Sequence, residues 1–537
     1  MAAAPIFKIC SWLDREDYER LKDVAEYLGR RDGCSLFMLR SSVIRSPRLQ
    51  NVLEMLESLG AIMEPQARKW LEQEAEMQAT VRVGLSRQGF VLWSKMYLAE
   101  LLSKYRGLGL VWYSRRERGF IVRPFAVVDV VEEIRSRGYN VEDTTGLLSA
   151  NRTDFVFTGR LRPYQAEAVD AWKKNRYRGL VVLPTGAGKT VVALAAMAEL
   201  RVPTLVVVYT KEQMYEWREK IKGFISTKMA VGLFYGEKKE IKPITIATYQ
   251  SAYRNIEQLW DKFSLLIIDE AHHLPAERFR SIALHVMAPY RLGLTATPYR
   301  EDGRHDELFS LMGGVVYVKT LEELKEYGYV ARFEIIPRLV RLDREEYEKY
   351  RALKQRYNVL ARGRSVQELV AASASGDETA RKALQLLNEM RKLLALSRNK
   401  IEEAKAIVNE ELARGSKIIV FTQYVQQAEL LGKTLGAPVV TGKTDKLRRR
   451  IALELFKKGR YRVLVLTTVG DEGIDIPDAN VGIVLSGTSS KRQFIQRLGR
   501  LLRPQPGKVA KLYYVAVRGS QEETAMKKIL DRLHSLA

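Results

Sequence analysis

GLVVLPTGAGKTVVALAAMAEL, residues 179–200, decides the fold class. Five residues rich in β-branched side chains run into a turn with glycines at 186 and 188. A run of Ala, Leu, Met and Glu follows, all good helix formers. Strand, tight glycine loop and helix in that order place free backbone amides and the positive end of a helix dipole at one point, which favours a bound phosphate. Residues 183–190 fit the spacing GxxxxGK[ST] except that Leu183 stands where the first glycine belongs. Thr185, Gly186, Ala187 and Gly188 are expected to cradle the phosphates. Lys189 reaches the β- and γ-phosphates, and Thr190 helps hold Mg²⁺ beside ATP. A glycine turn that happens to precede Lys-Thr is the plain alternative, and the strand before it and helix after it disfavour it.

Outward from this loop the same grammar repeats. TLVVVY (204–209), ITIATY (244–249), LLIID (265–269) and RLGLTAT (291–297) are short apolar runs separated by helical stretches. Strands without polar alternation predict a parallel sheet buried on both faces. LLIIDEAHH ends its strand on adjacent carboxylates. Asp269 at the strand tip is placed to hold the metal, and Glu270 to orient and activate an attacking water. KIIVF (417–421), PVVTG (438–442), RVLVLTT (462–468), VGIVLS (481–486) and KLYYVAV (511–517) predict a second sheet of the same kind. Between the two, residues 340–414 have helical spacing and many charges.

The first 155 residues carry no chemical motif. Helices are expected over Asp14–Arg30 and Pro47–Leu59, the second capped by Ser46. A hairpin is expected from LGLVWYS and FIVRPF around a turn at Arg115–Gly119, followed by a helix in VVDVVEEIRSRGY.

With 537 residues, several domains are expected. Lys and Arg number 88 against 64 Asp and Glu, a net charge of +24 that points to a polyanionic partner. The two cysteines, Cys10 and Cys34, exclude a cysteine zinc site and a disulfide framework; they are expected as reduced thiols, with a single Cys10–Cys34 bridge as the alternative. The five histidines show no metal-ligand spacing. The N-terminus is too charged for a secretion signal and no run is long enough to span a membrane, so a cytoplasmic protein, or a nuclear one in a eukaryote, is expected.

Gln165 in LRPYQ, the phosphate loop, DEAH (269–272), TAT (295–297) and QRLGRLLR (496–503) resemble the motifs of superfamily-two helicases and translocases, in order and spacing, over 156–335 and 415–537. The resemblance implies that Gln165, with Arg162 near it, reads the adenine edge. It implies that His272 and Thr295–Thr297 couple the nucleotide to the second lobe. Gln496, Arg500 and Arg503 match positions that face the γ-phosphate from that lobe, and arginine suits the role because its charge is permanent and forked. TTVGDEGIDIP (467–477) is similar to the family's fifth motif. Thr467 and Thr468 then lie near phosphate, and Gly473 and Asp475 near the ribose. Tyr209, Thr210, Lys211, Thr248, Tyr249 and Gln250 in the first lobe, with Thr422, Thr441 and Gly442 in the second, hold strand-end positions that contact the nucleic-acid backbone.

TATPYREDGR (295–304) narrows the family. Arg300, Glu301 and Asp302 resemble the RED motif of the XPB family of repair- and transcription-associated DNA helicases, in the compact form of its archaeal members. The helical stretch lies where that family carries a thumb. The implied architecture is two RecA-like parallel α/β lobes (156–335 and 415–537) around a thumb-like insertion (336–414). A mixed α/β N-terminal region precedes them, divided into 1–85, of unknown role, and 86–155, which resembles a damage-recognition domain. The implied activity is 3′→5′ DNA translocation and duplex opening in nucleotide excision repair, with a repair nuclease as partner. The motor of a restriction or branch-migration system shares several motifs, but no nuclease constellation is present. An RNA helicase fits poorly after TAT. A non-catalytic scaffold is disfavoured by the intact Lys189, Thr190, Asp269 and Glu270.

Overall fold

The computed structural model describes residues 5–46, 48–95, 98–149, 152–184, 186–236, 238–299, 303–326, 332–467, 479–485 and 509–534. Its centre is an eight-stranded sheet. In spatial order the strands are Lys238–Lys239, Val231–Tyr235, Ile244–Thr248, Thr204–Val208, Leu265–Asp269, Tyr290–Thr295, Arg178–Val182 and Val315–Val318. All pairings are parallel except that of the short Lys238–Lys239 strand. The five predicted apolar runs are therefore five of its eight strands. Alternate residues of one strand enter different cores: Val206 and Val208 pack with the helix Lys189–Leu200, while Leu205 and Val207 pack on the opposite face. Both faces are covered, so beyond Thr204 the strand is apolar on both sides.

The second sheet runs Arg332–Val340, Val509–Val517, Val481–Val484, Ile418–Thr422, Val463–Thr467, Val439–Val440, all parallel. Its edge strand Arg332–Val340 crosses the expected lobe boundary at 335, so that boundary falls inside a strand of the second lobe. The helix Arg398–Ala413 likewise buries Ile401, Ala404, Ile407 and Val408 in the second lobe's core. The helical insertion is thus Arg344–Ala361, Val366–Ala374 and Glu378–Leu396. Glu411, buried on that last-lobe helix, accepts from Lys511 (2.8 Å), Tyr513 (2.8 Å), Ser416 (2.8 Å) and Arg414 (2.7 Å) and ties helix to sheet.

Two N-terminal units precede the lobes. The first is a four-stranded sheet, Ala25–Arg31, Cys34–Leu39, Ile6–Ile9 and Ile62–Met63 in spatial order, covered by helices. Here the structure corrects three expectations. The first helix is Arg15–Val24, capped by Asp14 accepting from Asp17 N (2.7 Å), and the chain then becomes the strand Ala25–Arg31. The turn that forms this hairpin is Asp32-Gly33, both at positive φ (51° and 79°), a strong hairpin signal. The helix expected from Pro47 is Leu49–Ser58, with Arg48 at the cap position. Ser46 instead accepts from Arg48 N (3.2 Å), and Pro47 lies outside the described residues. Cys10 and Cys34 are joined in a disulfide. Ile9 faces Ser35 across the antiparallel pair, so the next residue outward on each strand brings the two sulfurs together.

The second unit is a five-stranded sheet spanning Thr80–Asp143, with the expected hairpin Val111–Ser114/Gly119–Val122 and the expected helix Val127–Ser136. It starts at Thr80, so the expected division at 85 cuts its first strand, Thr80–Ser86. Its core is continuous with one face of the eight-stranded sheet. Asp129 pairs with Arg178 and Arg176, and Tyr290 donates to Leu148 O (2.6 Å). Beneath this junction Arg291 is fully buried and donates to the carbonyls of Ala288, Ala283, Leu311 and Val286. Burial, aided by Arg178, pulls it down to about 9, so it is charged at neutral pH. The unit therefore sits on the first lobe as a buttress.

Candidate nucleotide and nucleic-acid site

Parallel strands put all their carboxyl ends on one edge, and there the two sheets collect the predicted residues. In the first sheet Val182 faces Thr295, Asp269 faces Leu294, and Val208 faces Thr248. In the second, Thr422 faces Thr467 and Val440 faces Leu466.

The phosphate loop is held from several sides. Leu183 N donates to Thr295 O (3.0 Å), fixing the loop's entry to the neighbouring strand. Gly186 and Gly188 take φ of 86° and 81°, a conformation that favours glycine. Gly188 is the N-cap of the helix Lys189–Leu200 and supplies no side-chain cap, so no cap side chain competes with an anion at this helix end. Ala187 O accepts from Tyr164 Oη (2.6 Å) and Gln165 Nε2 (3.1 Å). Gln165 Oε1 accepts from Arg162 N (2.9 Å), so this buried amide braces the loop against its own helix. Lys189 Nζ donates to Leu183 O (3.1 Å), curled over the loop it is expected to extend from. Thr185 lies outside the described residues.

Two further residues complete the centre. Lys220 Nζ donates to Thr190 Oγ1 (3.2 Å), and Trp217 Nε1 donates to Asp269 Oδ2 (2.8 Å). Both lie on the helix Lys211–Phe224, three residues apart, and so share one face. Trp217 shares its buried face with Met214 and Ile221, so in the sequence it reads as an ordinary core position and nothing there singles it out. Asp269 Oδ1 accepts from Glu270 N (2.9 Å). Among the described residues no cluster of three or more His, Cys, Asp or Glu could hold a metal alone. One oriented carboxylate and one hydroxyl suit Mg²⁺, which usually enters with substrate phosphates and keeps several waters.

Glu270 adopts φ 49°, ψ 51°, a left-handed conformation that costs a non-glycine residue about 1–3 kcal/mol. Its neighbours hold it there. Tyr249 Oη lies 3.2 Å from Asp269 O and 3.3 Å from Glu270 O. His272, buried, places Nδ1 3.1 Å from Thr295 Oγ1 and 3.4 Å from Glu270 Oε2. Thr295 Oγ1 donates to Thr297 O (2.9 Å) and accepts from Thr297 N (3.2 Å). The Asp-Glu turn and the TAT segment are thus one hydrogen-bonded unit.

Along the same edge Tyr209, Lys211 and Gln250 are exposed. Thr210 and Thr248 cap the helices that follow them, through Gln213 N (3.2 Å) and Ser251 N (3.3 Å). Tyr249 is 1% exposed, which corrects its expected place among the nucleic-acid contacts: its hydroxyl serves the Asp-Glu turn. In the second lobe Thr422 is buried and donates to Tyr424 O (3.2 Å), Thr441 accepts from Lys443 N (3.2 Å), and Gly442 is exposed. The Thr467 hydroxyl is buried and makes no hydrogen bond among the described residues. Arg300, Glu301, Asp302, Thr468, Gly473, Asp475, Gln496, Arg500 and Arg503 lie outside the described residues.

Residues 158–300 match the family model of the type III restriction enzyme res subunit, and residues 376–526 match that of the ERCC3/RAD25/XPB C-terminal helicase. The chain is 43% identical over 369 residues to the DNA 3′-5′ translocase XPB2 of Sulfurisphaera tokodaii, covering 67% of this chain and 82% of that protein. It is 32% identical over 443 residues to the DNA 3′-5′ helicase XPB of Kineococcus radiotolerans, covering 78% and 71%. The Hef helicase domain of Pyrococcus furiosus, a solved structure, aligns at 21% identity and a TM-score of 0.45 over 68% of this chain and 98% of that one. With the phosphate loop, the Asp269–Glu270 turn and the TAT strand on one sheet edge, the identity to the two XPB proteins and the match to the ERCC3/RAD25/XPB model show that the chain belongs to the XPB family of helicases and translocases.

Proposed function

We propose that this protein is an ATP-dependent DNA translocase that moves 3′→5′ and opens duplex DNA during nucleotide excision repair. The observation that carries the reading is the single hydrogen-bonded unit of phosphate loop, Asp269–Glu270 and Thr295, standing beside the exposed Tyr209, Lys211 and Gln250 in a family of DNA motors. ATP supplies the phosphoanhydride whose cleavage drives movement. Lys189 turns from the loop carbonyls to the terminal phosphates. Thr190, positioned by Lys220, and Asp269, positioned by Trp217, hold Mg²⁺. Glu270 orients the attacking water and takes its proton. DNA lies along the carboxyl edges of both sheets, and its binding weakens steeply with salt because Lys and Arg displace counterions. A repair nuclease is the expected protein partner, and the expected compartment is the cytoplasm.

The test is ATP turnover and strand displacement on 3′- and 5′-tailed duplexes by the wild type and Lys189→Ala. The wild type displaces the strand from the 3′-tailed substrate and Lys189→Ala does neither. Unchanged turnover in Lys189→Ala removes the ATPase assignment, and displacement confined to the 5′-tailed duplex removes the polarity.

A further inference from the structure

The exposed nucleic-acid edge and the water-orienting carboxylate are joined by a continuous set of rings. Tyr209, at the carboxyl end of the strand Thr204–Val208, is 37% exposed. Its backbone is fixed because Tyr209 N and Thr210 N both donate to Gln213 Oε1 (3.0 and 3.1 Å). On its inner side the ring lies flat on His273, centroids 4.1 Å apart and planes within 11°. The His273 ring in turn lies 4.3 Å from that of His272, whose Nδ1 faces Glu270 Oε2. Tyr249 closes the set: its ring meets Tyr209 at 6.2 Å and His273 at 6.3 Å, and its hydroxyl holds the Asp269 and Glu270 carbonyls.

Glu270 is the one member of this set in a left-handed backbone conformation. His273 N donates to Glu270 O (3.0 Å), so a shift of the His273 ring acts on the strained turn through one hydrogen bond. A turn held against its own preference responds to small displacements of its supports, because packed contacts rearrange between discrete states rather than deforming smoothly.

We propose that the Tyr209–His273 stack is the positioning element through which a DNA strand seated on Tyr209 sets the Glu270 carboxylate for hydrolysis. The stack makes ATP turnover answer to DNA from within the first lobe alone. His273 is a positioning residue: it touches neither the phosphates nor the water, and acts through the 270–273 turn. The inference rests on the reading of the protein as a DNA-stimulated ATPase.

The experiment compares the full-length wild type, His273→Ala and His273→Phe. It measures ATP turnover without DNA and with saturating 3′-tailed duplex, and affinity for the same duplex by fluorescence anisotropy. His273→Ala is expected to lower the ratio of stimulated to basal turnover about 5-fold or more, the scale of a modest coupling between sites. Its DNA affinity stays near that of the wild type, and His273→Phe, which keeps a flat ring under Tyr209, recovers most of the ratio. Should His273→Ala melt below the assay temperature, Tyr209→Ala removes the same stack from its exposed side and is read by the same ratio at saturating DNA. A ratio equal to that of the wild type, or a proportional fall in basal and stimulated rates, overturns the inference and leaves the ATPase reading standing. A wild type that DNA does not stimulate overturns both.

Discussion

Replacing Gly188 by alanine tests whether the phosphate loop is held by packing against Gln165. Gly188 takes φ 81°, ψ 35°, where a residue with a Cβ pays about 1–2 kcal/mol. The added Cβ would also lie 2.5 Å from Gln165 Nε2, so the amide must withdraw. Withdrawal endangers its bonds to Ala187 O (3.1 Å) and Arg162 N (2.9 Å), each worth about 1 kcal/mol net. The total is about 2–4 kcal/mol, divided between loop stability and nucleotide affinity. Expressed wholly as affinity, it is about 30- to 1,000-fold. Titration with a fluorescent ATP analogue, beside thermal unfolding, measures both shares. The diagnostic variant is the pair with Gln165→Ala. Truncating the glutamine removes the obstruction, so the double variant should lose about 1 kcal/mol less than the sum of the singles. Strict additivity, or Gly188→Ala titrating as the wild type does, would refute the packing argument.

Trp217→Phe removes the 2.8 Å hydrogen bond that orients Asp269 while keeping an aromatic ring. A Mg²⁺ titration of ATP turnover should show the requirement raised about 10-fold, in the range found when a group supporting a metal ligand is lost. Glu411 gives a pH prediction for the second lobe. Burial pushes this carboxyl up, but hydrogen bonds from Lys511, Tyr513, Ser416 and Arg414 outweigh it and hold the group at about 2, below its ordinary 4.5. The stabilisation is therefore present above pH 4.5 and lost as pH falls towards 2. It is on the order of 3 kcal/mol at neutral pH. Acid unfolding of Glu411→Gln should show a flatter pH dependence across that window than the wild type, and equal slopes would contradict the assignment.

Much of the engine was legible because burial on both faces leaves a parallel strand no polar alternation. GLVVL, TLVVV, ITIAT and LLIID could hardly be anything else, and Asp269 and Glu270 follow from the end of such a strand. The edge strand Arg332–Val340 escaped for the converse reason. An edge strand tolerates Pro337 and charges at 332, 334 and 338, so RFEIIPRLV does not read as a strand of a buried sheet. In the N-terminal unit the helical spacing of Asp14–Val24 runs on to Arg30 in the sequence, while the Asp32-Gly33 turn just beyond makes Ala25–Arg31 half of a hairpin. Tyr249 was misplaced because its strand-end position said nothing of where the side chain goes. It reaches the Asp-Glu turn two strands away, across Thr204–Val208, a contact set by sheet order rather than by spacing. Trp217 and Lys220 share that reason: a helix face becomes a site wall only once the fold puts Thr190 and Asp269 beneath it.

ATP turnover by Glu270→Gln in the presence of saturating DNA tests the central claim most directly. The substitution keeps the side chain's size and removes its ability to take a proton, and Glu270 is assigned that one step. Turnover should fall about 10²- to 10⁴-fold, the usual contribution of a general base, while the fluorescent ATP analogue binds as it does to the wild type. Turnover within a few-fold of the wild type would contradict the account.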